Sequence, residues 1–207
     1  MDSLFLKERK IGKRSMCMAV VCDGVGSLED GAFAATMAVR MLGNWFDQVN
    51  DFKRLGLKLR DQVVEMNRVI YRIAQAKGKK TATTISVLLL DGEHYYIVHL
   101  GDSRIYSFIE NALVQLTQDQ KSQSGKLIMC LGYTENIVPF YGEGLINTQK
   151  FLLCTDGLYK RASSEYIRKS VQSANHKNLK NTLEELAHYV IGQGERDNVT
   201  IAIILNQ

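Results

Sequence analysis

Apolar residues recur along this chain at two spacings. Short runs that are continuously apolar or β-branched predict strands at residues 2–6, 16–22, 81–90, 93–100, 104–109, 113–116, 137–142, 151–155 and 198–205. Four-residue spacing predicts helices. Over residues 29–46 the series is Phe33, Met37, Met41 and Trp45, with Ala34, Ala38 and Leu42 beside it. Over residues 52–76 it is Leu55, Leu59, Val63, Met66, Ile70 and Ile73, with Asp51 as the expected N-cap. Two further helices are predicted over 163–173 and 179–191. A charged turn containing Gly12 (7–14) should join the first two strands as a hairpin. Asp91-Gly92 is a hairpin signal, and with the turns at 101–103 and 111–112 it predicts an antiparallel meander. Residues 117–126 are polar and irregular. Strands grouped with strands and helices with helices predict α+β layers rather than alternating βαβ units.

Composition narrows the class. The 207 residues hold one proline, Pro139, and no linker-like stretch, which predicts a single domain over 1–207. The net charge of +4 is scattered, so no concentrated basic face suggests nucleic acid. Cys17, Cys22, Cys130 and Cys154 sit among apolar residues without metal-ligand spacing, as expected of reduced thiols in the cytoplasm. No run is long enough to cross a membrane, and no leader-like segment precedes the first strand. His94, His99, His176 and His188 read as structural or solvated.

The chemistry lies at the strand ends. Residues 19–22 run straight into Asp23-Gly24-Val25-Gly26, and residues 151–155 run into Asp156-Gly157. Asp2 opens the first strand, Asp197 precedes the last, and Asp102 lies in Gly101-Asp102-Ser103-Arg104. Asp-Gly is also a common turn, and on residues alone that reading stands beside the next one. If the strand ends converge, several carboxylates share one space and call for a cation. Oxygen-only donors suit Mg²⁺ or Mn²⁺.

Six motifs in order carry a resemblance: Asp23-Gly24-Val25-Gly26, Thr83-Thr84, Gly101-Asp102-Ser103-Arg104, Leu116-Thr117-Gln118-Asp119, Cys154-Thr155-Asp156-Gly157-Leu158 and Asp197-Asn198-Val199-Thr200. Together they resemble the metal-dependent (PPM-type, type 2C) serine/threonine protein phosphatases, most nearly the compact bacterial members. The resemblance implies a four-layer αββα sandwich, two antiparallel sheets flanked by helices, with a dinuclear site at one end. It implies that Asp23 bridges two Mg²⁺ or Mn²⁺ ions and that the Gly24 carbonyl joins one of them. Asp156 and Asp197 would hold the other, and Asp2 would bind through water. A third ion would lie between Asp102 and Asp156. It further implies a metal-bound water as nucleophile, a phosphoprotein substrate and a partner kinase, with the enzyme a cytoplasmic monomer.

The chain departs from the family pattern in several places. The phosphate-gripping arginine that precedes the family's acidic motif is not in this chain, and Arg14 is the candidate substitute. Gln120 stands where a histidine often follows the Leu-Thr-x-Asp motif, and Lys160 where many relatives have a second aspartate. No histidine lies in the N-terminal part, where members carry a general acid, and the interval 117–129 is too short for the usual flap. These departures point to an alternative function, a catalytically impaired member acting as a phosphoprotein-binding or regulatory scaffold.

Overall fold

The first two apolar runs pair as a long hairpin in the computed structural model, which describes residues 1–148 and 150–206. Strands β1 (Asp2–Ile11) and β2 (Arg14–Asp23) run antiparallel, from Ile11 opposite Arg14 to Asp2 opposite Asp23. Most of the expected charged turn is therefore strand. Only Gly12 and Lys13 lie outside it, and Gly12 takes φ +61°, which suits a two-residue hairpin turn. Next come helices α1 (Gly31–Gln48) and α2 (Leu55–Ala76). Asp51 does not cap α2. It accepts the Lys53 N–H and pairs with Lys58, and the helix starts only after Arg54 turns left-handed at φ 53°.

Strands β3 (Ile85–Leu90) and β4 (His94–Leu100) form the expected hairpin through Asp91-Gly92. The meander stops there. Residues 101–103 carry the chain out of the first sheet, so β5 (Arg104–Ile109) and β6 (Ala112–Gln115) belong to the second. This crossover is tight. Gly101 has φ +104°, and a Cβ there would lie 2.7 Å from the Thr84 side chain. Strand β7 (Phe140–Leu145) starts just after Pro139, which has no N–H to donate to a ladder. Strand β8 (Lys150–Cys154), the one-turn α3 (Asp156–Tyr159), helices α4 (Ser164–Ser173) and α5 (Leu179–Gly192), and strand β9 (Ile201–Leu205) complete the chain.

The sheets are β1-β2-β3-β4-β7 and β6-β5-β8-β9, antiparallel throughout. Because helices cover both outer faces, the central strands are apolar on both sides. Alternate residues then serve different cores. Met18 and Val20 of β2 pack with Leu42, Phe46 and Leu59 of the first helical layer. Ala19 and Val21 pack between the sheets with Leu153 and Ala202. Leu152 and Cys154 of β8 face Leu186 and Val190 of α5 in the second helical layer. The αββα sandwich expected from the motifs is the observed architecture. All four cysteines are free. Among the described residues no helix is long and apolar enough to cross a membrane.

One polar residue breaks the apolar stripe of α2. Asn67 is fully buried, donates to the carbonyls of Thr134 and Glu135 at 2.9 Å, and accepts the Gly132 N–H at 2.7 Å. It holds the loop before β7 against the helix. Replacing it with leucine strands three backbone groups, each costing about 1–3 kcal/mol when left unpaired in the interior. Asn67→Leu is expected to lower the urea midpoint by the equivalent of roughly 3 kcal/mol with an unchanged m-value. A midpoint within error of wild type would show that water replaces the bonds without cost.

Candidate metal centre

Strand register brings the acidic residues to one end of the sandwich. Asp23 ends β2 directly opposite Asp2 at the start of β1. The Asp23 peptide is fixed from the neighbouring strand: its N–H donates to Thr84 Oγ1 at 2.9 Å, and its carbonyl accepts the Thr84 N–H at 2.8 Å. Thr84 Oγ1 also lies 2.7 Å from Ser103 Oγ, which ties Asp23 to the crossover that carries Asp102. The crossover is held again by Gln120, whose N–H donates to the Gly101 carbonyl and whose Oε1 accepts the Gly101 N–H.

Glycine is required where segments cross. A Cβ on Gly24 would lie 2.7 Å from the Gly31 carbonyl group and 2.9 Å from the Met1 oxygen. A Cβ on Gly157 would lie 2.4 Å from the Asn198 carbonyl oxygen. Neither backbone has room to retreat, so the Asp23 and Asp156 turns sit closer to their neighbours than any side chain permits.

The resulting cleft has a volume of about 380 Å³ and is lined by Asp23, Gly24, Asp102, Asp156 and Asp197, with Lys121 and Lys160 on its walls. Asp2 stands one layer behind. Its Oδ2 accepts hydroxyl bonds from Thr155 at 2.9 Å and Thr200 at 2.7 Å. A larger groove of about 600 Å³ between α2 and residues 137–141 holds no such gathering of carboxylates.

Electrostatics divide the cluster. Burial, then the charges of Asp2, Asp156, Asp197 and Asp102, push the Asp23 carboxyl up to about 8. Burial also raises Asp156, opposed by its bond to Lys160 and reinforced by Asp102. Asp156 Oδ2 receives Lys160 Nζ at 2.6 Å, while its Oδ1 is buried and has no partner. Lys121 Nζ meets Asp102 Oδ2.

The structure thus brings Asp2, Asp23, Gly24, Asp102, Asp156 and Asp197 to one place. Among the described residues no three acidic, histidine or cysteine side chains are already drawn together as a cation cage. The oxygen-only donor set and the orphaned Asp156 Oδ1 nevertheless suit a hard divalent cation. Arg14 is not brought to the site. It lies at the far end of ten-residue β2, about 30 Å away at ~3.3 Å per residue, pairs with Glu93 and sits over Phe52.

His99 proves structural. Its Nε2 faces the carbonyl oxygens of Gly101 and Gln118, which only accept, so that nitrogen carries the proton; burial lowers the ring's pKa. Sequence reading missed the roles of Lys121, Thr155 and Thr200. The two threonines lie inside the aspartate motifs, which was a usable signal. Lys121 lies in an aperiodic stretch that gave none. There residues 121–127 form a short turn, closed by a bridge between Lys121 and Leu127, whose Gly125 and Leu127 also line the cleft.

Comparison with known proteins bears on the family and the fold. Residues 2–190 match the family model described as protein phosphatase 2C. The chain is 25% identical to the protein phosphatase PhpP of Streptococcus pneumoniae, over 94% of this chain and 87% of that protein. In fold it is similar to the serine/threonine phosphatase Stp1 of Staphylococcus aureus, with a TM-score of 0.90 and 20% identity over 100% of this chain and 89% of the other. It is also similar to the catalytic domain of the serine/threonine protein phosphatase PstP in complex with two manganese ions. That match has a TM-score of 0.81 and 21% identity, and covers 100% of this chain and 98% of the other.

The raised Asp23 pKa makes a stability prediction for protein kept in chelator. The folded value of about 8 exceeds the ordinary carboxylate value, so the native state holds the proton more tightly. This favours the fold at low pH and is lost as pH climbs to about 8. Asp23→Asn removes the penalty. In chelator at pH 8.5 the variant is expected to be more stable than wild type by on the order of a few kcal/mol, the gap narrowing toward pH 5. A variant no more stable than wild type at pH 8.5 would refute the crowding of these carboxylates.

Proposed function

The chain belongs to the protein phosphatase 2C family, and we propose that its acidic cleft holds two divalent cations, Mg²⁺ or Mn²⁺, and uses them to hydrolyse phosphoserine and phosphothreonine esters in proteins. Family membership makes the chain a serine/threonine protein phosphatase. The observation that carries the metal reading is Asp23, whose most influential charged neighbours are all carboxylates. Such a group is costly as it stands and becomes favourable once a cation arrives.

Asp23, the Gly24 carbonyl, Asp156 through its free Oδ1, and Asp197 would hold the ions, with Asp2 acting through water. Divalent ions bound there would supply Lewis acidity, which would activate water near neutral pH and draw charge from phosphoryl oxygens. The chain itself supplies position. Thr84 fixes the Asp23 backbone, and the hydroxyls of Thr155 and Thr200 hold Asp2 in one orientation. Residues 117–129 serve as a shortened flap that leaves the cleft open to a protein substrate. In this reading a serine/threonine kinase makes the phosphoproteins on which the enzyme acts, as a cytoplasmic monomer.

A scaffold without chemistry has less to recommend it. Binding alone gives no reason to keep Asp23 crowded by like charges, and one Asn at that position would relieve the repulsion.

Wild-type protein is expected to hydrolyse an aryl phosphate only with Mn²⁺ or Mg²⁺ present, and Asp156→Asn to lose at least about two orders of magnitude in kcat, the scale of a lost electrostatic contribution to catalysis. Millimolar Mn²⁺ should raise the wild-type melting temperature by mass action. No turnover with metal, together with tight phosphopeptide binding, would favour the scaffold instead.

A further inference from the structure

Two carboxylates at this end of the sandwich already carry a positive partner each. Lys121 reaches Asp102 Oδ2 from the irregular segment after β6, and Lys160 reaches Asp156 Oδ2 at 2.6 Å from the end of α3. Asp102 is only 3% exposed. Its Oδ2 also lies 3.2 Å from the Tyr159 hydroxyl, which Lys121 Nζ approaches to 3.3 Å. The same hydroxyl bonds the Asp102 carbonyl at 3.0 Å. Asp102 Oδ2 is thus supplied with a cation, and the single Tyr159 O–H is shared between that oxygen and the Asp102 carbonyl. Asp156 is divided: Oδ2 faces Lys160, and Oδ1 has no partner. A divalent ion placed between Asp102 and Asp156 would lie against two ammonium groups and displace both from carboxylates they already neutralise.

We infer that Lys121 and Lys160 stand in for a cation between Asp102 and Asp156, so that the chain takes up its divalent ions on the Asp23 side of the cleft and none against Asp102. The third ion implied by the family resemblance does not fit these residues. The inference rests on the reading of the cleft as a metal centre. It adds that this enzyme has built part of its positive charge into the chain. The tethered charge also joins the segment at 121–127 to the cleft wall, since Lys121 closes that turn.

Counting bound Mn²⁺ tests it without recourse to activity. The purified, chelator-stripped chain is titrated with MnCl₂ to millimolar concentration while free Mn²⁺ is followed by electron paramagnetic resonance. Wild type is expected to bind two ions. The double variant Lys121→Ala/Lys160→Ala exposes both carboxylates and is expected to bind three, whereas Lys121→Arg/Lys160→Arg keeps the charge and stays at two. Lys160→Ala alone, altered at a half-exposed side chain, gives a second route to the extra site if the double variant folds poorly. Three ions on wild type, or no gain in either alanine variant, would overturn the inference while leaving the metal centre intact. No ions on wild type would overturn the metal centre and the inference together.

Discussion

The character of the cleft is set by mutual repulsion among carboxylates that the fold forces together. Ladder register sets Asp2 opposite Asp23, and directly opposed like charges destabilise a strand pair. Asp156 and Asp197 reach the same end from β8 and the start of β9, and Asp102 from the crossover between sheets. Burial first, and then these acidic neighbours, push the Asp23 carboxyl up to about 8. Such a cluster carries its own cost, and a bound cation would be the physical agent that reverses the sign.

The rest of the chain makes that crowding tolerable. Three apolar layers, two under helices and one between the sheets, anchor the strands whose ends carry the acids. Truncating a single buried Leu in such a layer typically costs 2–5 kcal/mol, so a few core residues offset one crowded carboxylate. Local fixing is done by hydroxyls and backbone. Thr84, Ser103, Thr155 and Thr200 hold the peptides and side chains around the acids, and Gly24 and Gly157 let segments pass at distances that no Cβ allows. Lys121 and Lys160 pair with Asp102 and Asp156 on one side of the cluster, and on the proposed reading the other side would take an external cation.

Much of this was legible beforehand because strong, simple signals carry it. Apolar runs ending in Asp-Gly marked the ends of β2 and β8, and the four-residue stripes marked α1 and α2. Order of elements gave the layer class, and the motifs gave the αββα arrangement. What escaped was non-local or too short to be periodic. The crossover at 101–103 looks like a hairpin turn, since nothing in three residues says which sheet the next strand joins. Helix α3 is a single turn and has no period to detect. The stretch before β3 is rich in β-branched residues, yet the strand begins only at Ile85 and Thr83 forms isolated bridges to Gly24 and Leu131. Arg14 is the candidate substitute for the family's phosphate-gripping arginine, and the length of β2 shows that it lies at the opposite end of the sandwich. Lys121 is invisible as a partner of Asp102 until the fold brings residues 19 positions apart into contact.

Distant acidic side chains are proposed to gather around divalent cations at this end of the sandwich. Anomalous diffraction at the manganese edge, from crystals of the wild-type chain grown with Mn²⁺, tests this most directly. Peaks bounded by Asp23, Asp156 and Asp197, with Asp156 Oδ1 turned onto one of them, are the predicted result. A map with no anomalous density there, and those three carboxylates pointing apart, would contradict it.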